Sequence, residues 1–221
     1  MGRFPILYHN LPFLSILHHG PSPLSSFFQL FLKILLNAPD MVKYKLSERG
    51  GAMFNLGILT ISDKGWQGQR QDESGKVIRE ALSDNHVVKY EIVPDEAHVI
   101  AAKLAEWADR GIVDVILTTG GTGLGPRDVT PEATASVIDK VVPGFAEVMR
   151  VQTFQATPFA ILSRAVAGVR SKCLIINLPG SPKAVRECLE VILPAIPHAV
   201  GIIKGEITEH VAPEKGQAHA H

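Results

Sequence analysis

The sequence is short of cysteine and of net charge, and each shortage excludes a class of function. Cys173 and Cys188 are its two cysteines in 221 residues. No Cys-x-x-Cys pair occurs, which leaves neither a zinc framework of that kind nor a dithiol redox pair. Both lie in apolar patterns and are expected to be buried, reduced thiols, in keeping with a cytoplasmic protein. The 22 Lys/Arg balance 22 Asp/Glu, so no global basic field favours nucleic acid. The apolar run Leu24 to Leu36 is too short to span a bilayer and carries Lys33. Signal-peptide features are poor, because Arg3 is the only early cation and no clean small-x-small cleavage site follows. No membrane span is therefore expected. There is no Walker loop and no GxGxxG fingerprint. The nine histidines are scattered, two of them in the tail at His219 and His221, and no Ser-His-Asp or Cys-His arrangement has convincing spacing.

What is present points to a globular domain. Apolar residues make up 46% and charged residues 20%, enough for a sizeable core in one domain plus extras. Residues 1–52 hold five Lys/Arg and two acids, which leaves 17 Lys/Arg and 20 acids for the rest. An acidic domain that handles phosphates must do so with backbone dipoles, a metal ion and a few placed cations. The first 52 residues are broken by Pro5, Pro12, Pro21 and Pro23. Just before Met53, Glu48-Arg49-Gly50-Gly51-Ala52 can be encoded by a purine run resembling a translated ribosome-binding site. We read 1–52 as a non-native or disordered extension, 53–213 as the domain with Met53 its true start, and 214–221 as a flexible tail.

The domain alternates strand and helix signals. Strands are expected at Phe54–Ser62, Val87–Val93, Val113–Thr118, Arg164–Val169 and Lys172–Leu178, the last two meeting at a turn. One helix is capped by Ser74 and turns Val77, Ile78, Ala81 and Leu82 inward. A second runs from Glu96 to Arg110, with Val99, Ile100, Leu104, Trp107 and Ala108 on one stripe, and ends at Gly111. Thr130-Pro131 opens a third, with Thr130 as cap. Gly144–Gln155, the segment from Ser181-Pro182 and a stretch after Pro197 are also expected to be helical. This order predicts an α/β fold: a single-domain, three-layer, doubly wound and mostly parallel sheet.

In such sheets ligands bind beyond the carboxyl ends of the strands, which selects four loops. These begin at Asp63, at Pro94-Asp95, at Gly120 and at Asn177. Thr119-Gly120-Gly121-Thr122-Gly123 offers backbone N–H groups and hydroxyls to an anion, or is a plain glycine turn. Asp128, between that loop and a helix start, is a solvated loop charge or, beside a polyphosphate, a carboxylate that serves Mg²⁺. Arg127 fits a phosphate or Glu132 equally. Asp95 is a metal ligand or a helix cap. Asp63 and Asp72 fit capping or turns as well as catalysis. Asn177-Leu178-Pro179-Gly180-Ser181 leads into a helix N-terminus with free amides.

Taken in order, LTISDKG (59–65), DESG (72–75), VPDE (93–96), TTGGTG (118–123), RDVTPEAT (127–134), PGFAEVMR (143–150), SRAVAG (163–168) and NLPGSP (177–182) resemble one family. It is the MogA/MoaB-type molybdopterin adenylyltransferases of molybdenum cofactor biosynthesis. The resemblance implies a homotrimer and a Rossmann-like fold. It also implies Mg²⁺-ATP-dependent adenylylation of molybdopterin with release of pyrophosphate. It places catalysis and metal on Asp95 and Asp128. Ligand contacts fall to Asp63, Thr119, Gly120, Gly121, Thr122, Gly123, Arg127, Ser163, Asn177, Pro179, Gly180 and Ser181. A molybdenum insertase is a possible partner. The alternatives are a non-catalytic molybdopterin-binding paralogue or scaffold, against which both aspartates count, and a related pyrophosphate-bond hydrolase.

Overall fold

A computed structural model of the chain describes residues 53–207. The readings made for 1–52 and for the tail 214–221 lie outside the described residues. Six strands form one sheet in the order β2-β1-β3-β6-β5-β4. They are β1 (Asn55–Ile61), β2 (His86–Val93), β3 (Val115–Thr119), β4 (Lys140–Val141), β5 (Ala167–Arg170) and β6 (Cys173–Leu178). The first four in spatial order are parallel; at one edge β5 pairs antiparallel with β6, and β4 antiparallel with β5.

The central strands are apolar on both faces because both faces are covered. Successive side chains alternate, so β3 sends Val115 and Leu117 into one core cluster and Ile116 into the other. The first cluster packs beneath α2 (Glu73–Ala81), α5 (Pro143–Thr153), α6 (Pro182–Ile192) and α7 (Ile196–Lys204), through Ile78, Met149, Leu189 and Ile196 among others. The second packs beneath α3 (Ala97–Asp109) and α4 (Thr130–Ala135), through Ile100, Leu104, Trp107 and Ala133. The three-layer architecture expected from the sequence is the one observed. Among the described residues no helix is long and apolar enough to cross a membrane.

Several local expectations are corrected. The loop after β1 opens with one helical turn, α1 (Asp63–Trp66), capped by Ser62, whose Oγ accepts from the Gly65 amide at 3.1 Å. Asp72, not Ser74, caps α2, accepting from the Gly75 amide at 2.8 Å. The Ser74 hydroxyl instead donates to the Gly180 carbonyl at 2.7 Å. Ala81 is exposed, because the inner stripe of α2 runs through Ser74, Gly75, Val77 and Ile78. Thr130 lies inside α4 rather than at its cap, which is Val129. Its hydroxyl donates to the Gly120 carbonyl at 2.9 Å, tying the helix to the glycine loop. Strand β5 starts at Ala167 rather than Arg164, since Arg164 is drawn away to that same loop. The edge strand β4 and a 3₁₀ turn at Pro158–Leu162 carry no clear periodicity and were not expected.

Candidate active site

The carboxyl ends of β1, β2, β3 and β6 converge on two clefts. One has a volume of about 470 Å³ and is walled by Thr122, Asp128, Arg150, Phe159 and Ser163 among others. The other has a volume of about 430 Å³ and is walled by Thr60, Arg70, Asp72, Ser74 and Asp95 among others. Gly121, Gly180 and Ser181 border both. The strand-end rule therefore places every loop selected from the sequence at one end of the sheet.

The ridge between the clefts owes its shape to glycine. Gly120 and Gly121 have φ of 103° and 64°, in the left-handed region. A Cβ on Gly120 would lie 2.3 Å from the Ile61 carbonyl oxygen, and one on Gly121 would lie 2.3 Å from Thr130 Oγ1. Gly121→Ala should thus destabilise the protein by about 2 kcal/mol or more, combining the left-handed cost with the clash. A urea melt checks this; an unchanged midpoint would contradict it. Thr119, fully buried, donates its hydroxyl to the Pro179 carbonyl at 2.7 Å and so joins the two halves of the ridge.

Arg164 clamps the loop from below. Its Nε donates to the Gly123 carbonyl at 2.7 Å, its Nη2 to the Asp128 carbonyl at 2.5 Å, and its Nη1 pairs with Glu132. The last contact excludes the Arg127–Glu132 alternative. Sequence reasoning missed Arg164 as a site residue, although it sits within the motif SRAVAG. Arg127 instead forms a two-pronged contact with Asp63, with Nε to Oδ2 at 3.1 Å and Nη2 to Oδ1 at 2.8 Å. That guanidinium, followed by the Asp95 amide, holds the Asp63 carboxyl below its ordinary range.

Asp63 and Asp95 are bound reciprocally. The Asp63 amide donates to Asp95 Oδ2 at 2.7 Å, and the Asp95 amide donates to Asp63 Oδ1 at 3.0 Å. Asp95 does not cap α3: Glu96 occupies that position and makes no side-chain capping bond. Burial, with the neighbouring Asp63 and Asp128 charges, pushes the Asp95 carboxyl above its ordinary range. Asp128 accepts from the Gly125 amide through Oδ2 at 2.7 Å, and its Oδ1 has no hydrogen-bond partner among the described residues.

The remaining sequence-derived residues divide into those that line a cleft and those that stand behind it. Thr122, Gly123, Ser163, Pro179, Gly180 and Ser181 line the larger cleft. Asn177 does not reach either cleft. It is fully buried, donates through Nδ2 to Thr118 Oγ1 at 3.0 Å and Thr134 Oγ1 at 2.8 Å, and accepts from the Val166 amide at 3.2 Å. Its place is to join β6, β3 and α4 under the site. A further polar cluster went unread in the sequence: Thr60 and Tyr90 each donate a hydroxyl to Asp72 Oδ2 at 2.5 Å. Nothing in the spacing of these three positions signals that they meet.

Fold and site together define a class: an α/β protein with two clefts at the carboxyl ends of a mostly parallel sheet, divided by a glycine ridge. Residues 57–198 match the family described as "Probable molybdopterin binding domain", and the chain belongs to that family. A molybdopterin adenylyltransferase of Helicobacter pylori (strain J99) is 48% identical over 155 residues, which span 68% of this chain and 88% of that protein. The Escherichia coli (strain K12) molybdopterin adenylyltransferase is 37% identical over 175 residues, 72% of this chain and 89% of that one. Among solved structures, the molybdopterin biosynthesis enzyme MoaB of Thermus thermophilus shares 55% identity at a TM-score of 0.66, covering 69% of this chain and 98% of that one.

Proposed function

We propose that this chain is a molybdopterin adenylyltransferase that uses Mg²⁺-ATP and releases pyrophosphate. The observation that carries the reading is the pair of clefts of similar size on either side of one glycine ridge. A two-substrate transfer needs two binding sites that meet at the reacting atoms. The adenylyltransferase relatives give those substrates their names.

The step is an in-line displacement. A terminal phosphate oxygen of molybdopterin attacks the α-phosphorus of ATP, the bond from that phosphorus to the bridging β-oxygen breaks, and pyrophosphate departs. The attacking oxygen is already anionic, so no general base is required. The difficulty is electrostatic, because several negative charges must approach one another. Backbone N–H groups of the glycine loop and the amide end of α6 after Ser181 counter that charge.

Magnesium suits the donors present. It binds through one or two carboxylates together with substrate phosphates and water, and needs no cage of three protein ligands. Among the described residues no such three-ligand cluster occurs. Asp128 keeps Oδ1 open, and Asp95 is a crowded, half-buried carboxylate that a cation would relieve. When bound, the ion would neutralise phosphate charge. Asp95 and Asp128 would hold it, with Asp63 and Arg127 keeping Asp95 in place. Both aspartates favour an active member over a non-catalytic paralogue or scaffold. Incubation with molybdopterin, Mg²⁺ and ATP should yield adenylylated pterin; pterin recovered unmodified would overturn the reading.

The same reading carries a homotrimer. Val151, Phe154, Phe159, Ile161 and Leu162 are exposed apolar side chains on one stretch of chain, more than a lone subunit usually leaves to water. Light scattering at micromolar concentration should give three times the chain mass, and a monomer would contradict it. The cytoplasm is the expected compartment and a molybdenum insertase a possible partner.

A further inference from the structure

Arg127, Arg164 and Arg170 each pair with a carboxylate, on Asp63, Glu132 and Asp109. Arg150 does not. It projects from the last turns of α5 as the sole Lys or Arg lining the larger cleft among the described residues, and it is half-buried. Its Nη1 donates to the Ser163 and Ala165 carbonyls at 3.3 and 3.2 Å. Those bonds fix the plane of the guanidinium. They use one nitrogen and leave the Nε and Nη2 edge without a partner among the described residues.

Neither of the two acidic side chains lining the same cleft forms an ion pair with Arg150. Glu187 faces Lys183 at 3.7 Å, and Asp128 accepts from the Gly125 amide. Phe159, Met149 and Leu162 make the surrounding wall largely apolar. A half-buried cation in such a place is costly unless an anion meets it. A neutral ring alone would leave the charge uncompensated. The open edge carries two parallel N–H groups, the fork that takes two oxygens of one phosphate.

We propose that Arg150 is an anion-binding residue of the larger cleft, receiving a phosphate group of one of the two substrates through its Nε and Nη2 edge. This deepens the adenylyltransferase reading and rests on it for the identity of the substrates. Two sources carry the same chemistry: the terminal phosphate of molybdopterin and the phosphates of ATP.

Calorimetric titration of the full chain with molybdopterin, dephosphorylated molybdopterin, ATP and adenosine separates them. Arg150→Gln should weaken one phosphorylated probe by about 10- to 100-fold and leave its phosphate-free counterpart within about twofold. The affected pair names the source. Arg150→Lys, which keeps the charge and loses the fork, should fall between wild type and Arg150→Gln. Equal loss for a phosphorylated probe and its phosphate-free counterpart, or no loss for either pair, would overturn the proposal, leaving Arg150 only a tie to Ser163 and Ala165. Should Arg150→Gln fail to fold, the lysine variant carries the same comparison. A wild-type protein that binds ATP but no pterin would refute the adenylyltransferase reading, while the ATP and adenosine pair still decides Arg150. Binding of neither phosphorylated probe would overturn both.

Discussion

Asp128→Asn should lower adenylyl transfer by about 100-fold or more, the scale on which a preorganised charge-stabilising group is lost. The substitution removes charge and little else. The Asp128 side chain holds its loop through one bond, from the Gly125 amide to Oδ2, and an asparagine carbonyl can accept the same donor. The loop is packed tightly around that carboxylate, since a Cβ on Gly123 or Gly125 would lie 2.9 or 2.8 Å from Oδ2. An isosteric amide respects this spacing, so the thermal melt should stay close to wild type. The informative quantity is kcat at saturating Mg²⁺ and both substrates. A variant that turns over near the wild-type rate would remove Asp128 from metal binding.

Asp95→Asn is the second large effect. It should abolish most adenylyl transfer with the melting temperature unchanged or slightly raised. An asparagine oxygen can still accept from the Asp63 amide, and the Asp95 amide is untouched, so the reciprocal link to Asp63 persists. The direction of the stability change follows from ionisation. Burial raises the Asp95 carboxyl above its value in the unfolded chain. Between those two values the native state binds more protons, so this carboxyl's contribution to stability falls as pH rises through them. At neutral pH the ionised group is therefore a net cost, which asparagine removes. Pterin binding should survive, because the pterin is expected mainly on the glycine loop and the turn that ends at Ser181, not on Asp95. Product formation at the normal rate by a stable Asp95→Asn protein would end its catalytic assignment.

Five of the six strands were legible, most of them as short apolar runs between turn residues, and the helices because α3 and α6 carry clear stripes. Ile100, Leu104 and Trp107 face inward as the 3.6-residue period requires. The strand-end rule then collected the site loops at one end of the sheet without knowledge of any contact. Capping was less legible. Asp72, Ser74, Asp95 and Thr130 are all residue types that cap well, and local sequence does not say which of their oxygens are claimed by distant groups. Tertiary partners decided each case: Gly180 takes the Ser74 hydroxyl, and Gly120 takes that of Thr130. The Arg127–Asp63 contact was missed for the same reason, since 64 residues separate the pair. Asn177 shows the reverse limit. Its motif position suggests ligand contact, yet its amide is satisfied entirely by Thr118, Thr134 and Val166.

Attack on the α-phosphorus of ATP is the central claim, and isotopic labelling tests it most directly. The protein is incubated with molybdopterin, Mg²⁺ and ATP labelled in separate runs at the α- or the γ-phosphate. The account predicts α-label in the pterin fraction, γ-label in pyrophosphate, and neither transfer when molybdopterin is omitted. Label from the γ-phosphate in the pterin, or pyrophosphate released without molybdopterin, would contradict it.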